Sequence, residues 1–232
     1  MNAILLVLRT GMQWNALNAT GICSAHRRFS EWAEAGVFED FWRRGLLAYD
    51  ALSGLDWGWL SADGAMGKSP LGGEQTGPNP TRQGKKGVKR SILCEGAGVP
   101  IGLCAAGANR HDQKLLKQTL DSIPIERPQA TVELPQGLCL DAGYDTPGMR
   151  ALARDYGLTP HVRSRGEEAE LRRCEPDWRA RRWVIERTHA WLNRFRGLLV
   201  RWSKKAANHR ALLQLACGLI AWRMAKPPAQ AG

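Results

Sequence analysis

The spacing of apolar residues changes once along this chain, near Trp57, and the change separates a helical part from a mixed part. Residues 1–50 read as helical, with breaks at Thr10-Gly11 and Ala35-Gly36. They predict a small helical N-terminal domain with helices over Ile4–Arg9, Cys23–Ala35 and Val37–Tyr49. Within it, Ala25–Trp32 fits part of a helix-turn-helix and equally a three-helix packing unit without a special function.

After Trp57 the apolar runs are short and separated by turns, as in strands that alternate with helices. Gly67–Val88 is rich in Gly, Pro and Lys and is predicted to be a mobile loop. In chain order the other predicted elements are a run ending at Asp63, strands Lys89–Glu95 and Val99–Gly107 joined by Gly96-Ala97-Gly98, a helix Gln113–Ile123 capped by Asp112, a strand Gly137–Leu140, a helix from Thr146 to Gly157, a strand Leu158–Arg163, and helices Arg179–Trp202 and Ala206–Ala225. This α/β order over residues 55–226 is compatible with a ribonuclease-H-like mixed sheet flanked by helices.

Positive charge is concentrated in the last third of the chain. The whole chain has a formal charge of +11, whereas residues 1–60 carry five Arg and six acids. Leu171–Arg210 holds twelve Lys or Arg and three acids, a net of +9. Such a surface neutralises phosphates and releases their counterions, so we expect a polyanionic partner, with a solvated helix face as the alternative.

Cysteine and glycine patterns exclude several other classes. The six cysteines never form Cys-x-x-Cys and never lie beside a His at zinc-ligand spacing, which is typical of reduced residues in a cytoplasmic protein. The short apolar run near the start lacks the other parts of a secretory signal, and no stretch is long enough to span a bilayer. The spacing of Gly96, Gly98 and Gly102 does not match a dinucleotide fingerprint, so no nucleotide cofactor is expected.

Three acidic residues stand where strands and a helix could present them to one site. Asp63 closes the run Leu55–Ala62, Asp141 follows the strand Gly137–Leu140, and Glu186 lies on a helix in the most basic stretch, facing away from its apolar arc. Hard divalent ions such as Mg²⁺ or Mn²⁺ take oxygen ligands, and two such ions promote in-line displacement at phosphorus. The pattern therefore predicts a metal-dependent enzyme acting on DNA, with these three acids as its catalytic and metal-binding residues.

Each acid also has an ordinary structural explanation. Asp63 fits a turn residue before Gly64, Asp141 fits the start of an Asp-x-Gly turn, and Glu186 fits a surface ion pair with Arg182. These alternatives stay open when each residue is considered alone.

Other polar residues near the three acids are explained without chemistry. Asp112 fits a helix cap and Asp145 a loop position. His111 and His189 could assist proton transfer, although a structural role fits both.

Five segments, spread over nearly the whole chain, carry a family resemblance: Leu8–Trp14, Pro70–Pro80, Gly107–Asp112, Asp141–Asp145 and Glu186–Arg194, of which the last is the most specific. Together they resemble bacterial insertion-sequence transposases of the DDE type, in the insertion-sequence-five group.

The resemblance implies a ribonuclease-H-like catalytic domain in which Asp63, Asp141 and Glu186 match the three metal-binding acids. Such enzymes use water to nick the element's ends and then the freed 3′-hydroxyl to attack target DNA. The expected partners are double-stranded DNA, as terminal inverted repeats and as target, and a second copy of the chain when two ends are synapsed. We expect a nucleoid-associated cytoplasmic protein whose DNA contacts come from Arg182, Arg187, Arg194, Arg196, Arg201, Lys204 and Lys205.

The sequence also departs from the family pattern. Arg182 and Glu186 match a pattern of Tyr, Arg, Glu and Lys, whereas Arg179 and Asn193 stand at its Tyr and Lys positions. These departures affect the expected contacts with DNA ends rather than the metal site. Family members usually have a longer N-terminal region, and its loss would affect end recognition first. Two alternatives to an active transposase stay open. One is a truncated or repurposed DNA-binding protein; the other is a stand-alone ribonuclease-H-like nuclease, which fits the acids but fits the long basic helix less well.

Overall fold

A mixed sheet lies at the centre of the computed structural model, which describes residues 1–18, 24–162, 173–174 and 182–225. Within those residues the sheet has six strands, β1 to β6 in chain order: Trp59–Lys68, Gly77–Pro78, Lys86–Cys94, Pro100–Gly107, Gly137–Leu140 and Thr159–Val162. The helices, α1 to α8, are Asn2–Thr10, Trp14–Asn18, Ala25–Glu34, Val37–Ser53, Gln113–Leu120, Pro147–Asp155, Trp183–Asn193 and Ala206–Met224.

Strand order places β1 near the middle of the sheet. The order is β2-β3-β1-β5-β6. β4 also pairs with β3, as β2 does. β1, β3 and β4 are antiparallel neighbours, whereas β1, β5 and β6 run parallel. The hairpin between β3 and β4 turns at Gly98, whose φ of 87° favours glycine. The predicted mixed α/β order is therefore confirmed.

Two helices cover opposite faces of β3, because successive side chains of a strand alternate between faces. Arg90 donates from Nη2 to Asn193 Oδ1 at the end of α7, at 2.7 Å. The next residue, Ser91, accepts at Oγ from Thr119 Oγ1 on α5, at 2.8 Å. Elements that lie far apart in the sequence are thereby held on either side of β1 and β3.

The N-terminal helices share the hydrophobic core of the sheet. One connected set of buried apolar side chains includes Phe29, Trp42, Leu60 and Leu213. Trp42 also donates from Nε1 to the carbonyl oxygen of Pro100, at 2.9 Å, which fixes α4 to the start of β4. The division of the chain into domains at residues 50–55 stays a prediction.

Three sequence predictions are wrong in extent. The strand that contains Asp63 does not end there, because its backbone pairs with β3 as far as Lys68. Within Gly67–Val88, the predicted loop, the chain forms β2 and the first residues of β3. The helix predicted over Arg179–Trp202 is described only from Trp183 and ends at Asn193; residues 179–181 lie outside the described residues.

Packing against α1 explains why α7 ends earlier than the sequence predicted. A 3₁₀ turn, Arg196–Leu198, follows α7. A Cβ atom on Gly197 would lie 2.8 Å from the carbonyl oxygen of Val7. The backbone therefore approaches α1 closely at a glycine, and this contact outweighs the helical spacing of the apolar residues.

Candidate active site

Asp63 lies where β1 loses its parallel neighbour. β1 pairs with β5 only over Trp59–Ser61, whereas its pairing with β3 runs from Ser61 to Lys68. Asp63 Oδ1 accepts from the Gly64 backbone N–H at 2.7 Å, and Oδ2 lies 3.8 Å from His189 Nε2. This edge of β1 is therefore open to both faces of the sheet.

Burial raises the pKa of the Asp63 carboxyl to about 6. The Gly64 N–H opposes the rise, and the negative charges of Asp112, Asp141 and Glu186 add to it. Since these charges act through space, the three acids predicted from the sequence lie in one electrostatic neighbourhood, together with a fourth, Asp112.

Asp141 follows the last residue of β5 and caps a 3₁₀ turn, Ala142–Tyr144. Its Oδ1 accepts from the Ala142 backbone N–H at 2.7 Å and from Arg182 Nη1 at 2.5 Å. The ordinary structural explanation of Glu186 was an ion pair with Arg182. In the structure Arg182 instead pairs with Asp141. The contact joins the end of β5 to the start of α7.

Glu186 lies in the first turn of α7 and its side chain is exposed. The buried residues of α7 are Val184, Ile185, Thr188, His189 and Leu192, so the predicted orientation of Glu186 away from the core is confirmed. Burial and the charge of Arg90 lower the pKa of His189 to about 4, so this ring is neutral near pH 7.

Asp112 was explained from the sequence as a helix cap, and this explanation is wrong. It occupies the position before α5, but its side chain makes no capping hydrogen bond. Its Oδ2 accepts from Lys89 Nζ on β3 at 2.9 Å. The signal that could have identified it is its place shortly after β4, as Asp141 follows β5.

Several buried polar atoms around Asp63 have no hydrogen-bond partner in the part of the chain that the structure describes. They are Asp112 Oδ1, Tyr144 Oη and both ring nitrogens of His189. Buried polar groups are nearly always paired, and an ion with its water ligands satisfies such groups. The donor set, carboxylates with a hydroxyl nearby, fits a hard divalent cation.

The side chains are not already drawn together around a single point. Among the described residues, no group of three or more His, Cys, Asp or Glu side chains is arranged to hold a metal ion. Asp141 is held by Arg182, and Glu186 extends into solvent. Side-chain rotation of these two residues is therefore part of assembling any metal site here.

Four of the predicted DNA-binding residues form an exposed basic group beyond α7. They are Arg194, Arg196, Lys204 and Lys205, of which Lys205 makes a surface ion pair with Glu34 at 3.3 Å. Exposed pairs of this kind contribute little to stability, so all four cations are accessible.

Two other basic residues are engaged within the protein. Arg201 is 2 % exposed, and its guanidinium donates to the carbonyl oxygens of Ser203, Glu74 and Lys204. Its assignment as a DNA contact is therefore wrong in this structure, because a buried guanidinium does not reach phosphate. Arg187 donates to the Ala97 carbonyl oxygen and lies over the rings of Trp183 and Trp191.

Comparison with known proteins decides the family. Residues 67–220 match the family model described as the transposase DDE domain, which is more than half of the chain. The chain belongs to the transposase DDE domain family. Within it, a curated protein of Burkholderia cepacia, named for the transposase of insertion sequence element IS402, is 37% identical over 155 residues, covering 65% of this chain and 70% of that protein. The resemblance to DDE insertion-sequence transposases is thereby confirmed, whereas the insertion-sequence-five group stays a prediction.

A more distant structural likeness is to a chain in the crystal structure of the Mos1 strand transfer complex. The TM-score is 0.32 at 12% identity. The match covers 82% of this chain and 62% of the Mos1 chain, so this chain spans less than two thirds of the length of the Mos1 chain. The family match begins after Asp63 and includes Asp112, Asp141 and Glu186. No helix among the described residues of this family member has the length and apolarity to cross a membrane.

Proposed function

We propose that this transposase-family chain cuts the ends of insertion-sequence DNA and joins them to target DNA, using Asp63, Asp141 and Glu186 to hold Mg²⁺ or Mn²⁺. The observation that carries the proposal is that the negative charges of Asp141 and Glu186 act on Asp63 and raise its pKa, in a chain of the transposase DDE domain family. Bound divalent ions would activate the attacking oxygen and stabilise the leaving oxygen of the phosphodiester.

The chain's own residues have distinct tasks in this proposal. Asp63 provides the central carboxylate, held at one oxygen by the Gly64 N–H. Arg182 neutralises Asp141 here, and a guanidinium at this position would also suit a DNA phosphate when a divalent cation neutralises Asp141 instead. His189, neutral and buried, lies beside Asp63 and borders that carboxylate on the α7 side.

The DNA backbone is proposed to lie along the exposed basic group beyond α7. Arg194, Arg196, Lys204 and Lys205 supply four accessible positive charges, and Arg182 adds one next to Asp141. Contacts of this kind position a duplex without reading its sequence. Terminal inverted repeats and target DNA are the proposed substrates, a homodimer is the proposed synaptic form, and the nucleoid the proposed location.

Replacement of Glu186 by Gln tests the chemistry separately from DNA binding. The amide is a poorer cation ligand of nearly equal volume, and the side chain is exposed, so folding should not change. We expect Mg²⁺-dependent nicking and joining to fall by about 10³-fold or more, while DNA affinity is unchanged or slightly higher.

Glu31→Gln is the matched control, since Glu31 is an exposed residue of α3 in surface ion pairs with Arg27 and Arg28. Nicking, strand joining and DNA binding are measured for each protein in Mg²⁺ and in EDTA. If the Glu186 variant nicks DNA at the wild-type rate, the proposed three-acid site is wrong. Joining supports a transposase, hydrolysis alone a nuclease, and binding alone a repurposed DNA-binding protein.

A further inference from the structure

Asp112 approaches the candidate metal site from the helix that covers the other face of the sheet. It directly precedes α5, and the next residue, Gln113, donates from Nε2 to the carbonyl oxygen of Gly143 at 2.7 Å. Gly143 lies in the turn that follows Asp141. The start of α5 is thus tied to the turn that carries a proposed metal ligand.

The two oxygens of Asp112 have different surroundings. Oδ2 accepts from Lys89 Nζ, a side chain that is 8% exposed. Oδ1 is buried and has no hydrogen-bond partner among the described residues. A buried carboxylate oxygen without a partner is costly, and an ion pair with Lys89 satisfies only one of the two oxygens.

Gly64 leaves the space that the Asp112 carboxylate occupies. A Cβ atom at Gly64 would lie 1.9 Å from Asp112 Oδ1, so any larger residue there would displace the carboxylate. Gly64 is the neighbour of Asp63 in β1, and adjacent residues of a strand face opposite sides of the sheet. Asp112 therefore reaches β1 from the α5 side, whereas His189 reaches it from the α7 side.

The end of β5 leaves one edge of β1 without a neighbouring strand. β5 stops at Leu140, and its pairing with β1 stops at Ser61, so beyond these residues no described strand pairs with this edge of β1. Asp63 and Asp141 lie just beyond the last paired residues of the two strands. A cation at this edge would border both faces of the sheet.

A second unpaired group lies in the turn that Asp141 caps. Tyr144 ends this turn and is 2% exposed, and its hydroxyl has no hydrogen-bond partner in the described part of the chain. Burial raises its pKa, and the charges of Asp112, Asp63 and Asp141 raise it further. Because buried hydroxyls are nearly always paired, a polar occupant is expected beside this turn.

We propose that Asp112 is a fourth carboxylate of the metal site, binding the divalent cation through Oδ1 while Lys89 holds Oδ2 in place. This inference rests on the proposed function, because it assigns a further ligand to the same site. The charge of Asp112 raises the pKa of Asp63, so the two carboxylates repel each other, and a shared cation removes that repulsion. Lys89 is a positioning residue in this arrangement, since it acts on the cation only through Asp112.

Metal binding to the protein alone tests the proposal without measuring activity. Mn²⁺ is titrated into wild type and the variants Asp112→Asn, Asp63→Asn and Asp121→Asn, and free Mn²⁺ is followed by electron paramagnetic resonance. Asp121 is the matched control, since it ends the same helix, α5, and makes an exposed pair with Lys117 at 2.7 Å. We expect Asp112→Asn to raise the Kd for Mn²⁺ by about tenfold or more and Asp121→Asn to leave it unchanged.

Asp112→Asn leaves the buried Lys89 without its partner, which can destabilise the fold. The double variant Lys89→Met/Asp112→Asn removes both charges and controls for this effect, with thermal unfolding in EDTA as the check of folding. The double variant should show the same loss of Mn²⁺ affinity.

The outcomes separate this inference from the proposed function. If Asp112→Asn or the double variant binds Mn²⁺ like wild type while Asp63→Asn does not, the role of Asp112 is overturned and the three-acid site stands. If wild type itself does not bind Mn²⁺, with or without DNA, both are overturned. Loss of affinity in the Asp112 variants and not in the Asp121 control supports both.

Discussion

The histidine near the start of α8 shows how burial sets the charge of a single residue. His209 is 3% exposed, and burial lowers its pKa to about 3, with the charges of Arg201 and Arg90 acting in the same direction. The ring is therefore neutral in the folded protein at any pH at which the protein works, whereas an unfolded histidine gains its proton near pH 6.5.

This difference predicts a loss of stability in acid. Because the folded pKa lies below the unfolded one, the contribution of His209 is fully present above about pH 6.5 and is lost as the pH falls toward 3. We expect the free energy of unfolding to fall by about 1 kcal/mol per pH unit from this residue. Urea denaturation of wild type and His209→Gln between pH 7 and 5.5 measures it, and equal pH slopes for the two proteins would contradict the shift.

At the scale of residues, sequence pattern predicted the positions of two of the acids, while their catalytic role stays a prediction. Asp141 directly follows a four-residue apolar strand, and Glu186 lies opposite the apolar arc of a helix, so both positions could be predicted without a structure. Asp112 could not, because a helix-capping role explained it completely until the structure showed that Lys89 holds it instead. The prediction that Arg201 contacts DNA failed because the sequence gives no local signal that backbone carbonyl oxygens will bind and bury a guanidinium.

Among the elements, the segment after α7 combines a structural and a functional constraint. Gly197 contacts the end of α1, while its neighbours Arg194 and Arg196 remain exposed. A continuous helix to Trp202 would have spread these charges around its circumference. Because α7 ends at Asn193, Arg194 and Arg196 instead lie at the turn that follows it, exposed as Lys204 and Lys205 are.

The charge of this segment predicts a strong dependence of DNA binding on salt. The logarithm of the binding constant should fall with the logarithm of salt concentration by roughly 0.9 per neutralised phosphate. Replacement of both Arg194 and Arg196 by Ala should reduce this slope by about 2 and weaken binding to all DNA sequences alike.

Arg43→Ala/Arg44→Ala is the control for this experiment, since both arginines make surface ion pairs with Asp40 on α4, outside the candidate helix-turn-helix segment. Fluorescence anisotropy at several salt concentrations measures the slope for each protein. A slope that Arg194→Ala/Arg196→Ala leaves unchanged would show that these arginines are only solvated.

Element boundaries were the part of the fold that sequence pattern predicted least well. Strands β3, β4 and β5 were found to within three residues, because turn residues bracket them. The length of β1 and the end of α7 were predicted less well, because each depends on a partner that is distant in the sequence. β1 is extended by its pairing with β3, and α7 ends where the chain packs against α1. Tertiary contacts of this kind override local propensity.

For the molecule as a whole, the helices of residues 1–53 and the sheet behave as one packed body. α4 and α8 cross at two glycines: a Cβ atom on Gly218 would lie 2.6 Å from the Phe41 ring, and one on Gly45 would lie 2.9 Å from the Trp222 ring. α8 also contacts β4, so it connects the N-terminal helices to the sheet.

This shared core predicts a single unfolding transition. Trp42→Ala should destabilise the chain by about 3–5 kcal/mol, since it empties a buried site and removes the hydrogen bond to Pro100. Tryptophan fluorescence and far-ultraviolet circular dichroism should report coincident denaturation curves in wild type and variant. Two separate transitions would instead support an independently folding helical domain.

The order along the chain of the four acids of the proposed site also has a consequence during synthesis. Asp63, Asp112, Asp141 and Glu186 come from four separate elements, and the last of them follows about four fifths of the described sequence. A nascent chain that has left the ribosome only as far as β6 lacks Glu186 and the helix that presents it. In the proposed function, ability to cut DNA therefore arises late in translation, and incomplete products leave the host chromosome intact.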